Sequence, residues 1–235
     1  MRDRRYTILS TASLPLEKMP QVMDSIEIRS IPFIEILSKP DEKIKARIGI
    51  LAGEKLVAIF TSAYAVLAVE KYKGRAPDWQ IYNVGKETAS AIRQAFGENS
   101  IVQTAPNAQT LSEIIINAKI KQAVFFCGNQ RLDILPANLS KAGIALEEIM
   151  VYETRLTPVH LDFLPDAVLF FSPTAVRSFF SVNVLHPATK LFAMGTTTAA
   201  TLKEFTKNPV LISPQAEKAH VLNMALEFAG LHPIK

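Results

Sequence analysis

Two short blocks of this sequence occur twice, at one common spacing. Phe60-Thr61-Ser62-Ala63-Tyr64-Ala65-Val66 aligns with Phe170-Phe171-Ser172-Pro173-Thr174-Ala175-Val176. Val84-Gly85-Lys86-Glu87-Thr88-Ala89 aligns with Met194-Gly195-Thr196-Thr197-Thr198-Ala199. The offset is 110 residues in both, position 60 against 170 and 85 against 195. A third pair, Ala105-Pro106-Asn107-Ala108 and Ser213-Pro214-Gln215-Ala216, lies at 108, so two residues were lost between. Solenoid repeats recur every ~20–50 residues, so the longer period points to a duplicated domain. A chain of 235 residues accommodates two domains, since domains usually run to about 100–150 residues.

The local pattern sets the class of those domains. Strand candidates are 6–10, 33–37, 57–61, 80–84, 100–103, 122–127, 146–152, 167–171, 190–194 and 209–212. Several are continuous apolar runs, such as Val57-Ala58-Ile59-Phe60 and Ala167-Val168-Leu169-Phe170-Phe171. Such runs suit strands covered on both faces, as in parallel sheets flanked by helices. Between them, Ala89, Ile92, Ala95 and Phe96 form one helical stripe and Leu111, Ile114, Ile115 and Ala118 another. The alternation predicts an α/β fold.

The two halves are unequal. Residues 40–150 hold five strand candidates, while only three follow residue 160. Strand 6–10, with the helix expected after it, has no partner of its own, and joining it to the C-terminal half completes a second sheet. This predicts a discontinuous first domain, 1–32 plus 157–235, and a second domain, 38–149. Segments 33–37 and 150–156 would be linker strands running in opposite directions, paired as a two-stranded hinge.

Composition removes several functional classes. Charged residues make up 20% of the chain and the net charge is +4, with no dense basic run, so nucleic acid is not an expected partner. The single cysteine, Cys127, lies in the apolar run Ala123-Val124-Phe125-Phe126-Cys127 and reads as a small core hydrophobe. One cysteine excludes an internal disulfide or a multi-cysteine zinc site. His160, His186, His220 and His232 lack ligand spacing, so no metal is expected. No segment has the ~20 apolar residues of a membrane span, and Pro15 spoils the basic opening as a secretion signal. A cytoplasmic protein without membrane partners is expected. Neither a Gly-x-Gly-x-x-Gly nor a Gly-x-x-x-x-Gly-Lys-Ser/Thr loop is present, nor a Gly-x-Ser-x-Gly elbow.

Chemistry is expected at the repeated turns. Each repeat has a strand, then a small hydroxyl residue, then a helix. Ser62 and Ser172 fit the N-cap and Pro173 the first helical position. Gly85 and Gly195 precede the next helices, with Thr88, Thr197 and Thr198 in the opening turns. Capping explains each turn taken singly. Four such turns in related domains surround the strand carboxyl ends, where open α/β sheets bind ligands and helix N-termini favour anions.

Read in order, the blocks also resemble a known family. Phe60-Thr61-Ser62 and Val84-Gly85 with Thr88-Ala89 come first. Gly128-Asn129-Gln130-Arg131 with Leu135, Leu139 and Gly143 follows, leading to Val151-Tyr152-Glu153-Thr154. Phe171-Ser172-Pro173 and Met194-Gly195-Thr196-Thr197-Thr198-Ala199 complete the set. The series resembles uroporphyrinogen-III synthases over roughly residues 30–220. The resemblance implies two flavodoxin-like domains joined by a two-stranded linker, with the substrate in the cleft between them. It implies a cofactor-free lyase that cyclises hydroxymethylbilane with inversion of ring D and loss of water. In the implied reaction the ring A hydroxyl departs to give an azafulvene. The substituted carbon of ring D attacks to give a spiro intermediate, which fragments and recloses.

By the same resemblance Tyr152 is the candidate catalytic acid. Thr61, Ser62, Gly85, Thr88, Gly128, Asn129, Arg131, Ser172, Thr174, Lys190, Gly195, Thr197 and Thr198 are candidate substrate contacts. Arg131 suits a carboxylate, which guanidinium binds bidentately. Lys190 stands one strand-length before the Gly195 turn and equally fits a solvated strand start. A monomer is expected, and hand-over of substrate by the synthase that makes it is left open. One alternative of another class remains: a non-catalytic hinged module on the same scaffold, binding a small acid or a tetrapyrrole.

Overall fold

The apolar runs form parallel strands, and the amphipathic stretches cover them. The computed structural model describes residues 5–14, 26–38 and 40–230. In chain order come β1 (Tyr6–Ser10), β2 (Ile26–Ser30), β3 (Ile34–Leu37), α1 (Glu42–Leu51), β4 (Leu56–Phe60) and α2 (Ala63–Tyr72). Next are β5 (Trp79–Val84), α3 (Lys86–Phe96), β6 (Ile101–Ala105), α4 (Ala108–Asn117), β7 (Gln122–Gly128), α5 (Ile134–Lys141) and β8 (Ala145–Leu156). The chain continues with β9 (Ala167–Phe170), α6 (Pro173–Phe180), β10 (Lys190–Ala193), α7 (Thr196–Phe205), β11 (Val210–Ile212) and α8 (Lys218–Phe228). The helix expected after the first strand lies outside the described residues.

The chain divides into two compact units. Unit 1 takes in the described residues through Glu35 and those from Arg155 onward; unit 2 is Ile36–Thr154. The boundaries fall inside β3 and inside β8, within segments 33–37 and 150–156, and β8 runs on from Ala145 through Leu156.

In unit 1 the sheet order is β11-β10-β9-β1-β2. Every pairing in it is parallel, and numbered along the chain it is the 2-1-3-4-5 order of flavodoxin-like sheets. Strand β1 closes onto β9 with Ile8 opposite Ala167 and Ser10 opposite Leu169. Strand β2 was not expected from sequence, and it takes the edge. Leu169, Phe171 and Phe192 pack against Val221, Leu222 and Ala225 of α8 on one face. On the other, Val168 and Phe170 meet Val176 and Phe179 of α6 and Leu202 of α7.

Unit 2 has the order β3-β8-β7-β4-β5-β6. Its strands β4 to β8 pair in parallel. Their spatial order becomes 2-1-3-4-5 if β7 and β8 are counted first, so unit 2 is a circular permutation of unit 1 with β3 added at the edge. Phe60, Phe126 and Trp79 stack on the face covered by α1, α2 and α3, with ring centroids 5.2 Å and 5.4 Å apart. Ile59, Phe125 and Cys127 point the other way, towards Leu111 and Ile115 of α4 and Leu135 and Leu139 of α5. Burial raises the Cys127 thiol to a pKa of about 11, so at neutral pH it is an inert core group.

Candidate active site

At the carboxyl edge of unit 2 the ends of β4 and β7 meet β8 at Tyr152. Strands β7 and β8 pair in step from Gln122 opposite Ala145 to Cys127 opposite Met150, then shift so that Gly128 faces Tyr152. The ring lies against Gly128, where a Cβ would come within 2.4 Å of Tyr152 Cζ. Only glycine leaves that floor open. The phenol is hydrogen-bonded with the Ser62 side chain, and the ring centroid stands 5.9 Å from that of Tyr64. Burial pushes the Tyr152 pKa above its ordinary value, while the Ser62 hydrogen bond pulls the other way. The phenol is therefore a neutral donor throughout the neutral range.

Ser62 has a second task. Its Oγ accepts from the Tyr64 N–H at 3.2 Å and caps α2. Thr61 beside it is half-buried. Gly85 heads α3 at φ 81°, a conformation that favours glycine. Thr88, in that turn, is buried.

Beyond Gly128 the side chains are committed to protein partners. Asn129 Oδ1 accepts from the Thr154 N–H at 2.8 Å, and its Nδ2 donates to the Thr154 carbonyl at 3.2 Å. Arg131 is ion-paired with Asp133 and with Glu148 on β8. It thus enters any substrate contact with two carboxylates already in place. Tyr64 and Glu148 are members of this cluster that sequence reading missed. Tyr64 aligns with a threonine in the repeat, and Glu148 meets Arg131 only through strand pairing.

Unit 1 presents its own carboxyl edge. Ser172 Oγ accepts from the Ala175 N–H at 3.2 Å and caps α6, with Pro173 at the first turn. Thr174 is half-buried beside it, and Thr197 is exposed in the first turn of α7. Gly195 heads that helix in extended backbone, φ −167°. Thr198 is buried, like Thr88. Lys190 does not join the group. It starts β10 opposite Ala167, at the amino end of the sheet, with its ammonium 5.6 Å from the Phe228 ring centroid.

A cavity of about 370 Å³ lies at the amino ends of β4, β7 and β8, walled by Leu51, Leu56, Val124 and Leu146. Arg47 and Glu147 close one side with two hydrogen bonds of 2.8 Å. No candidate site residue lines it. Among the described residues no group of His, Cys, Asp and Glu is arranged to hold a metal.

The family model described as uroporphyrinogen-III synthase HemD matches residues 25–223. The chain belongs to the uroporphyrinogen-III synthase family. Members of that family are lyases of tetrapyrrole and haem biosynthesis acting on hydroxymethylbilane, and that is the activity of this chain. Among solved structures, the uroporphyrinogen-III synthetase of Helicobacter pylori 26695 matches with a TM-score of 0.67 at 17% identity, covering 95% of this chain and 99% of that one. A mutant uroporphyrinogen III synthase from the extremely thermophilic bacterium Thermus thermophilus matches with a TM-score of 0.62 at 16% identity, covering 96% and 98%. Those likenesses establish that the family's two-unit α/β fold is shared, including the α/β class expected from the strand runs.

Proposed function

We propose that Tyr152 is the group through which this synthase assists departure of the ring A hydroxyl. The observation that carries the reading is the phenol itself: neutral, hydrogen-bonded with Ser62 and seated on Gly128 at a strand carboxyl edge. A phenol that stays protonated donates a hydrogen bond to a leaving hydroxyl without bearing a charge of its own. The pyrroles stabilise the cation that forms, so the protein's remaining work is folding the substrate and excluding water. Orientation of that kind lowers barriers by about 7–11 kcal/mol in favourable cases.

Each unit offers its own carboxyl edge to a polycarboxylated substrate. Thr61, Ser62 and the backbone at Gly85 and Gly128 serve from unit 2. Ser172, Thr174, Thr197 and the backbone at Gly195 serve from unit 1. Exposed or half-buried hydroxyls and helix starts support this set. Thr88 and Thr198 are the buried members of these turns, and Lys190 stays outside the set. Arg131 contributes as the centre of its carboxylate pairs. The protein works as a cytoplasmic monomer without a cofactor, taking hydroxymethylbilane from the synthase that forms it. No described helix is long and apolar enough to cross a membrane.

The test supplies freshly made hydroxymethylbilane and separates the oxidised products. Uroporphyrin III is expected from the native chain. Tyr152→Phe should lower kcat by about 10²-fold, the low end for a positioned proton donor, with KM little changed. Uroporphyrin I alone from the native chain, the product of spontaneous closure, would sink the activity. Full turnover by Tyr152→Phe would sink the role of the phenol.

A further inference from the structure

We infer that Asn129 is the positioning residue of Tyr152, its side-chain amide holding β8 in the shifted register that brings the ring over Gly128. The inference rests on the reading of Tyr152 given above, and its basis is the pairing of β7 with β8. Cys127 pairs with Met150 and Gly128 with Tyr152, so Val151 has no partner on β7. A residue skipped in the register in this way is a bulge, which bends the strand and re-aims the side chains after it.

Alternation shows what the bulge does. Ile149 and Val151 are buried in the cluster beneath α1, α2 and α3, while Met150 between them is exposed. A regular strand would turn Tyr152 to the Met150 side. Instead Tyr152 packs at the margin of the same cluster as Val151, within reach of Ser62 and Tyr64. Two residues on, Thr154 is buried again. The face of the tyrosine is thus set by the extra residue.

Main-chain pairing from β7 stops at Gly128, which leaves the shifted end of β8 without further ladder bonds from that side. Asn129 replaces them. One amide accepts from the Thr154 N–H and donates to the Thr154 carbonyl, at 2.8 Å and 3.2 Å, as a peptide group of a neighbouring strand would. Without that amide Thr154 loses two backbone partners. The regular register, which turns Tyr152 away from Ser62, is then no longer disfavoured. Asn129 touches the ring's strand, not the reacting atoms, and so acts through Tyr152.

Two measurements test this. In the first, kcat is compared for Asn129→Ala, Tyr152→Phe and the double variant. Asn129→Ala should lower kcat about tenfold with KM within twofold, and should lower it no further when Tyr152 is already Phe. An equal loss in both backgrounds, or a raised KM at unchanged kcat, overturns the inference. In the second, 3-fluorotyrosine is incorporated and the Tyr152 ¹⁹F resonance is assigned by its loss in Tyr152→Phe. That resonance should move in Asn129→Ala, and an unmoved resonance overturns the inference. Asn129→Asp, near in size and still able to accept from Thr154, takes the place of Asn129→Ala if the latter does not fold. The resonance does not depend on turnover, so full activity in Tyr152→Phe would refute the chemical role of the phenol while leaving the positioning of its ring to be judged separately.

Discussion

The two units keep the same positions buried and change what they expose. Thr88 and Ala89 are buried behind exposed Lys86 and Glu87 in unit 2; Thr198 and Ala199 are buried behind exposed Thr196 and Thr197 in unit 1. Ala65, Val66, Ala68 and Val69 of α2 correspond to buried Ala175, Val176, Ser178 and Phe179 of α6. The serine caps agree as well. At the edges the agreement ends. Tyr64 stands where unit 1 has Thr174, and the Asn107 cap of α4 has no counterpart before α8, whose leading residue Glu217 makes no side-chain cap. Duplication preserved the residues that pack, because close-packed interiors tolerate little change. The exposed turns were free to diverge, and the aromatic pair is found in one unit only.

The largest effect should come from Gly128, which has Tyr152 as its neighbour. Gly128→Ala places a methyl where the ring lies. The variant should lose at least as much turnover as Tyr152→Phe, with about 1–3 kcal/mol of stability lost to overpacking. Normal turnover in a folded Gly128→Ala would break the assignment of chemistry to unit 2. Next is the alkaline limb. Only unit 2 contains a thiol, and its folded pKa, about 11, lies above the ordinary value of 9.0. The group is protonated in both states below pH 9, and between pH 9 and 11 the unfolded chain alone releases the proton. Stability should therefore be intact below pH 9 and fall on the order of 2 kcal/mol by pH 11. Urea titration of native protein and Cys127→Ala across that window reads it as a difference in slope, which Cys127→Ala should reduce.

Ser62→Ala and Ser172→Ala form a matched pair. Each removes an N-cap, at about 1 kcal/mol, and thermal midpoints should fall alike. Turnover should fall further in Ser62→Ala, which also strips the Tyr152 phenol of its partner. Equal turnover in the two would dissolve the distinction between the units. Gly85→Ala and Gly195→Ala give the smallest contrast. The first forces alanine to φ 81° and should cost about 1 kcal/mol, whereas Gly195 is extended with open space at its Cβ. Its substitution should leave the melting temperature within a degree or two and register, if at all, in KM.

Much of this was legible in sequence because the informative signals are local. The continuous apolar runs marked strands buried on both faces, and Ser62 and Ser172 were readable as caps from their place between strand and helix. Strand β2 was missed because Ile26-Glu27-Ile28-Arg29-Ser30 alternates. It is an edge strand, with Glu27 and Arg29 paired to each other at 2.8 Å. The site was harder to read. The Tyr152 cage depends on a one-residue shift between β7 and β8, and the bond from Asn129 to Thr154 spans 25 residues of sequence. Nothing in the spacing of either segment announces such a shift. Thr88 and Thr198 show the converse. Placing a residue in a helix's first turn does not say how much of it is buried.

The permuted strand order has a consequence for how the chain is made. Unit 2 is one uninterrupted stretch, so all of its parallel strands are synthesised before β9. Strand β1, by contrast, has β2 close by on one edge but finds β9, its partner on the other, 158 residues later, where Thr11 just past its end bonds to the Leu169 carbonyl. At roughly 5–20 residues per second, β1 waits about 10–30 s with an unpaired edge exposed. Pulsed hydrogen exchange during refolding should accordingly protect β4 to β8 before β1 and β9, in keeping with the slower closure of distant contacts. During that wait β1 is the vulnerable strand, and a chaperone with an affinity for apolar extended peptide would find a target there.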